Sequence, residues 1–269
     1  MILRHAKDPV EGQPIENTFC AIDERSGDLL GSSVIYTDYN PMLFPTRPQQ
    51  VRIELDSPDA PDALLGATLA RAMQICESCP EPSRIFSRCT PQDTALARRL
   101  EAFGFQDNDG LIRMELRLPA LLSAKEPAGC AVVYDDLSDP LEQKYFLERY
   151  NQLYNTDHDI HWLRQFINRQ DFMRILTVAS SGMAGEVLIW REQYSGVIGY
   201  IQTSKRWRRL GVASYMISLA CDTFEQMGLY CAEANIRVRY PYMLRLMKGA
   251  GFEQSDLLMR YPGIDFNPA

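Results

Sequence analysis

Histidine is scarce in this chain: 269 residues hold three, His5, His158 and His161. A tetrahedral metal site draws on several His or Cys ligands at short spacing, so no resident metal is expected. His158 and His161, flanked by Asp157 and Asp159, read instead as a helix start capped by one of the aspartates. No apolar run approaches the ~18 to 20 residues that cross a bilayer, and no membrane partner is expected. Residues 1–5 carry no apolar core of a signal peptide, which points to a cytoplasmic chain. The seven cysteines are odd in number and scattered, a pattern of buried, reduced thiols rather than of a disulfide framework. Cys76-x-x-Cys79 lacks the second pair that would complete a metal or redox motif. Positive charge is in deficit too, with 28 Lys and Arg against 35 Asp and Glu for a net charge of −7. That balance argues against bulk nucleic-acid binding and suits a cationic partner.

What is present is an ordinary globular composition, 46% hydrophobic with 16 Gly and 16 Pro, in a chain long enough for two small domains. Residues 118–129 contain two prolines and end on glycine, a linker composition. The expected division is 1–120, a linker at 121–127, and 128–269.

A faint internal repeat supports two halves. Ala102-Phe103-Gly104-Phe105 matches Gly249-Ala250-Gly251-Phe252, and the same 147-residue offset lays a strand at 52–55 over 199–202 and a helix at 64–76 over 211–223. Self-similarity held in register over several features points to duplication. Periodicity in the second half reads as a strand at 130–134, helices at 140–154 and 160–169, and strands at 174–179, 185–191 and 197–203. A helix at 211–226, a strand at 230–235, a helix at 240–249 and a closing strand follow. No counterpart of the two helices at 140–169 is visible before Phe19.

The most informative segment is Trp207-Arg208-Arg209-Leu210-Gly211-Val212-Ala213, between a strand and a helix. Free N–H groups at a helix start, with the helix dipole, attract phosphate. Gly211 and Ala213 allow close approach, and two arginines add charge. The repeat places Pro61, Asp62 and Leu64 on Arg208, Arg209 and Gly211. Proline has no N–H to offer, the aspartate repels phosphate, and leucine blocks approach, so the first half is expected to be a degenerate copy.

Arg208-x-x-Gly211-x-Ala213 after a strand, then Asn235, then Gly251-Phe252, resembles the GNAT superfamily of N-acetyltransferases. The likeness covers roughly residues 130–262. It implies an α/β (α+β) chain of two tandem acetyltransferase-like domains, each a mixed, mostly antiparallel sheet with flanking helices and a splayed parallel strand pair. It further implies acetyl-CoA as co-substrate, wedged between strands 197–203 and 230–235. By position, the backbone of Ile201, Gln202 and Thr203 would meet the pantetheine arm. Arg208, Arg209, Leu210, Gly211, Val212, Ala213 and Ser214 would hold the pyrophosphate, and Asn235 would touch the cofactor or simply make a turn. The implied reaction is direct attack, in a ternary complex, by a primary amine of a small molecule or peptide.

Glu186 and Glu192 are the candidate bases, each alternatively a solvated strand residue. Where many members carry a tyrosine as general acid, this chain has Met247; Tyr242, on the same helix, is the substitute candidate. A cluster of Arg237, Arg239, Tyr240, Tyr242 and Arg245 could face RNA, solvent or the adenosine phosphate. The missing tyrosine leaves an alternative function, a catalytically weak acyl-CoA-binding regulatory protein. A tandem repeat can mimic a dimer within one chain, so monomer and homodimer are both open.

Overall fold

In a computed structural model, which describes every residue except Pro58, Leu121, Ser123 and Ala269, the chain folds as mixed α/β with two sheets. The linker expected at 121–127 thus lies partly outside the described residues. The chain forms two compact units, residues 1–111 with 257–269, and residues 112–256.

In the first unit, β1 (Ile2–His5), β2 (Thr18–Ile22), β3 (Leu29–Tyr39), β4 (Gln49–Leu55) and β5 (Ser83–Ser87) lie in sequence order. Neighbours are antiparallel except β4 and β5, which run parallel. Helix α1 (Asp62–Glu77) supplies the crossover a parallel pair needs. It turns Leu64, Leu65, Thr68, Ala72 and Cys76 inward, and Leu65, Ala72 and Cys76 pack with Ile35, Ile53 and Ile85 in the core. Helix α2 (Thr94–Ala102) follows, capped by the Asp93 carboxylate.

In the second unit, β6 (Gly110–Arg117) and β7 (Cys130–Asp135) precede α3 (Pro140–Tyr154) and α4 (Ile160–Ile167). Then come β8 (Met173–Ala179), β9 (Gly182–Glu192), β10 (Ser195–Thr203), α5 (Val212–Gln226), β11 (Cys231–Arg237), α6 (Pro241–Gly249) and β12 (Glu253–Arg260). The sheet order is β12-β6-β11-β10-β9-β8-β7, with β10 and β11 parallel. Helix α5 packs across β8, β9 and β10, burying Met216, Ile217, Ala220 and Phe224 at helical spacing. Asp139 and Asp159 cap α3 and α4 through their carboxylates, so the helix-start reading of the Asp157–His161 segment holds.

The two units are not the contiguous halves expected from the linker. Strand β6, the end of the first repeat, lies between β12 and β11 in the second unit's sheet. Strand β13 (Gly263–Phe266), absent from the sequence reading, pairs antiparallel with β5 in the first unit. A charged lock holds it there. The fully buried guanidinium of Arg84 donates to Asp265 at 2.7 Å, to Asn108 at 2.8 Å and to the Tyr261 carbonyl at 2.9 Å. Each repeat therefore hands its last strand to the other unit's sheet.

The repeated Gly-Phe has a local cause. Gly104 and Gly251 both sit at φ 88° just past α2 and α6. Each N–H bonds back three residues, to Glu101 at 2.9 Å and Lys248 at 3.0 Å. The following Phe105 and Phe252 bond to Leu100 at 3.1 Å and Met247 at 3.0 Å. This paired pattern is a Schellman stop, which favours glycine in the left-handed position and an apolar residue after it. Both phenylalanines are buried.

Candidate functional site

Strands β10 and β11 pair only through Ser195, Gly196 and Val197 against Cys231, Ala232 and Glu233. Beyond that the parallel ladder stops, although β10 continues to Thr203 and β11 to Arg237. A register shift between Ile198 and Tyr200 on the β9 side makes Gly199 a bulge, a device that bends a strand and re-aims its groups. Trp190 fills the space beside Gly199: a Cβ there would lie 1.7 Å from the indole.

The divergence frees backbone on β10. Ser204 N–H donates to the Ala184 carbonyl at 2.9 Å, and the Gln202 carbonyl lies against Gly185, so these residues face β9. Strand alternation turns the N–H and C=O groups of Ile201 and Thr203 to the opposite, open edge. Gln202 contributes differently from expectation, since its side chain accepts a hydrogen bond from the Tyr200 hydroxyl. Asn235 lies on β11 beyond its ladder with β10 and is exposed.

At the open end of β10 the chain makes a single turn of 3-10 helix at Lys205–Trp207 and then the Arg208–Gly211 turn. Arg209 and Gly211 both take left-handed conformations, φ 65° and 85°. The first helical bond of α5 runs from Tyr215 N–H to the Gly211 carbonyl at 2.9 Å, leaving the N–H groups of Val212, Ala213 and Ser214 ahead of it. Arg208, Arg209, Leu210, Gly211 and Ser214 are exposed and Val212 is buried against the sheet; the Arg208 Nε also approaches the Thr203 carbonyl at 3.4 Å. The turn, the open strand edges and Asn235 therefore share one end of the divergent pair.

The two candidate acids part company. Glu186 pairs across the ladder with Gln202 on the divergent half of β10, while Glu192 pairs with Ser195 at the closed end. Glu186 is fully buried, so the solvated alternative is corrected. Its carboxylate accepts from Arg149 Nη2 at 2.9 and 3.1 Å and from Nε at 3.4 Å. Burial raises its pKa above the ordinary value, with Arg149 and Arg174 pulling the other way. Glu192 is half-exposed, pairs with Arg169 at 3.0 Å and accepts from the Trp190 indole at 2.9 Å. It is removed from the opening. Tyr242 is 69% exposed under the Arg245 guanidinium, and Met247 is buried.

Sequence reasoning missed Arg149, which has no motif, and the aromatic groups over Tyr200. Tyr200 lies 5.5 Å from Phe146, 5.5 Å from Tyr150 and 6.2 Å from Tyr154, centroid to centroid. The four-residue spacing of Phe146, Tyr150 and Tyr154 marked that helix face. Its convergence with β10 depends on tertiary packing. Burial raises the pKa of both Tyr154 and Tyr200, keeping these phenols neutral. Among the described residues no cluster of three or more His, Cys, Asp or Glu is placed to hold a metal. The Cys76 thiol is buried, which pushes its pKa up to about 11.

The corresponding region of the first unit differs. Strands β4 and β5 stay paired over all five residues of β5, from Gln49 with Ser83 to Ile53 with Ser87. Helix α1 begins at Asp62, directly after Pro61, and the Asp62 carboxylate pairs with Arg99 at 2.7 Å. Leu64, the counterpart of Gly211, is fully buried. The residues that form a turn before α5 are wound into the first turn of α1.

No family model matches the chain, and no curated protein matches it in sequence. Solved structures do match in fold. A GCN5-related N-acetyltransferase from Sphaerobacter thermophilus is 12% identical, with TM-score 0.54 over 96% of this chain and 84% of that one. A conserved protein from Enterococcus faecalis V583 is also 12% identical, with TM-score 0.53 over 91% of this chain and 61% of its own. A tandem GNAT protein from the clavulanic acid biosynthesis pathway is 15% identical, with TM-score 0.47 over 93% and 82%. The chain thus shares its fold with the GCN5-related N-acetyltransferase from Sphaerobacter thermophilus. Among the described residues no helix is long and apolar enough to cross a membrane.

Proposed function

We propose that the protein is an acetyl-CoA-dependent N-acetyltransferase with one working site, in the second unit, and a degenerate first copy. The observation that carries this reading is the ladder between β10 and β11 stopping after Val197, so that the rest of β10, through Thr203, leads unpaired on that side toward the Arg208–Gly211 turn and the start of α5. The free edge at Ile201 and Thr203 would pair with the amides of the pantetheine arm as an added strand does. The N–H groups ahead of α5, with Arg208 and Arg209, would hold the pyrophosphate, and Asn235 would contact the same molecule from β11. The co-substrate supplies an acetyl thioester. The backbone N–H at Ile201 is the nearest open donor for the oxyanion, and Glu186 is the acid placed on the divergent half of β10 to take up the amine proton, directly or through water. In the first unit the paired strands, Pro61 and the Arg99-bound Asp62 offer no such cradle.

Met247 and the exposed Tyr242 favour a second reading, an acyl-CoA-binding regulatory protein without transfer. Titration calorimetry with acetyl-CoA, on the full chain and on Gly211→Glu, comes first. One site per chain, lost in the variant, is the expected result, while Pro61→Ala leaves binding unchanged. No binding removes both readings, and two sites per chain overturn the degenerate copy. Release of CoA thiol in the presence of primary amines then separates enzyme from binding protein.

A further inference from the structure

The face of the second sheet that carries Glu186 is covered by two layers of different character. Leu188, Tyr200, Phe146 and Leu163 are buried there as a base. Above them Tyr150, Tyr154, His158, Trp162 and Phe166 are only half-buried. They form one continuous ring surface. Tyr150 stacks on Tyr154 at 4.4 Å and lies 4.6 Å from Trp162; His158 stacks on Trp162 at 4.2 Å, nearly parallel; Phe166 meets Trp162 edge-on at 4.9 Å. The surface is fixed in place. The Asn151 side chain bonds the His158 carbonyl at 2.8 Å and the His158 N–H at 2.9 Å, tying the α3–α4 connection down. The rings are partly buried rather than enclosed and lie edge to edge against the buried base, and a contiguous aromatic lining of this kind is typical of small-molecule sites.

Its charges are settled internally. The buried Glu186 is held by Arg149, and Arg174 is held by Asp135 at 2.7 Å and Glu142 at 3.0 Å. The Asp159 carboxylate is held by the Trp162 N–H as the α4 cap, and the exposed Asp157 beside His158 is a single carboxylate, not the row of them that a polycation needs. A single aromatic ring fits it, through stacked and edge-on contacts, and an amine near that ring gains from the ring faces as well. Through Tyr200 the surface is continuous with the bulged, divergent half of β10.

We propose that the acceptor is a primary amine carrying an aromatic ring, an arylalkylamine or aromatic amino acid, with the ring seated on Tyr150, Tyr154 and Trp162 and the amine directed toward β10. This rests on the acetyltransferase reading above. In the step, the amine nitrogen bonds to the thioester carbonyl carbon, the carbon–sulfur bond breaks, and the proton lost by nitrogen balances the one gained by the thiolate. The products are the N-acetyl amine and CoA thiol. Among the described residues no hydrogen bond reaches Arg149 Nη1, and its side chain is 32% exposed, so it is the group able to read a carboxylate on the acceptor.

The test uses the full chain with saturating acetyl-CoA and four acceptors: phenethylamine, phenylalanine, spermidine and an aminoglycoside. Thiol release is the first readout, and quenching of tryptophan fluorescence at Trp162 reads binding without turnover. The expected result is kcat/KM at least tenfold higher for the two aromatic acceptors. Tyr150→Leu should raise KM for them about tenfold with little change in kcat, while Tyr150→Phe restores it. If Tyr150→Leu does not fold, Trp162→Phe serves, with a smaller rise expected. Preference for phenylalanine that disappears in Arg149→Lys identifies the amino-acid form; equal rates identify the arylalkylamine. Spermidine or the aminoglycoside matching the aromatic acceptors, or acetyl-CoA binding with no aromatic quenching, overturns the proposal. Failure to bind acetyl-CoA, read by calorimetry, overturns the acetyltransferase reading instead.

Discussion

The indole of Trp190 occupies the volume that any side chain on Gly199 would need, with 1.7 Å between a Cβ and the ring. The bulge that bends β10 away from β11 is thereby tied to a ring on the neighbouring strand, itself held by the Glu192 carboxylate. Relief of the clash requires the buried Trp190 to move or the bulge to straighten. Gly199→Ala should therefore destabilise the protein by about 1–3 kcal/mol, the ordinary range for overpacking. It should also weaken acetyl-CoA binding, because the open edge at Ile201 is set by the bulge. Chemical denaturation and calorimetry measure the two effects. An unchanged midpoint would show that the indole is free to swing aside.

Glu186 supplies a pH test with a defined sign. Burial raises its pKa above the ordinary 4.5, so the native carboxyl keeps its proton to higher pH than the unfolded chain does. Its favourable contribution to stability is present at low pH and is lost as pH rises through the raised pKa. If the carboxylate takes the amine proton, kcat/KM must fall as pH drops through that same raised value. In Glu186→Gln the acidic limb should vanish and kcat should fall by roughly 10²–10⁴, the usual contribution of a general base. A limb that survives in the variant places the base elsewhere. Arg149 is partly exposed, so its guanidinium can hydrate in the variant rather than force unfolding.

Much of this was readable before the fold was known, because it is written in local chemistry. The Gly-Phe repeat is visible since the same Schellman stop, with glycine at φ 88° twice, demands the same residues twice. The Arg208–Gly211 turn is visible because left-handed positions at a helix start favour glycine. The helices α3 and α4 follow from apolar spacing and aspartate caps. What stayed hidden depends on contacts far apart in sequence. The exchange of β6 and β13 changes no local pattern, since a strand reads the same in either sheet. Glu186 stands in a strand whose neighbours are apolar, and Arg149, thirty-seven residues earlier on α3, with the charge of Arg174, explains how it is buried. The aromatic surface draws on two helices and a strand, and its geometry is set by their packing.

The strand exchange makes the chain indivisible at its linker. A fragment of residues 128–269 lacks β6, which lies between β12 and β11, and carries β13 without β5, its partner. Such a fragment exposes unpaired strand edges on both sides of the gap, a surface prone to aggregation. It should not fold to a monomer that binds acetyl-CoA, although it contains every residue assigned to the cofactor. The point variant Asp265→Ala tests the same coupling more gently. It takes the carboxylate from Arg84, whose side chain is fully buried, and from Arg47 at 3.2 Å. Arg84 keeps Asn108 and the Tyr261 carbonyl, so the expected loss is about 1.5–3 kcal/mol, that of a hydrogen bond to a charged group. Denaturation of the full-length variant gives the loss, and size-exclusion chromatography of the fragment gives its state. A soluble, monomeric fragment with full acetyl-CoA affinity would mean that the second unit closes its sheet without the borrowed strand.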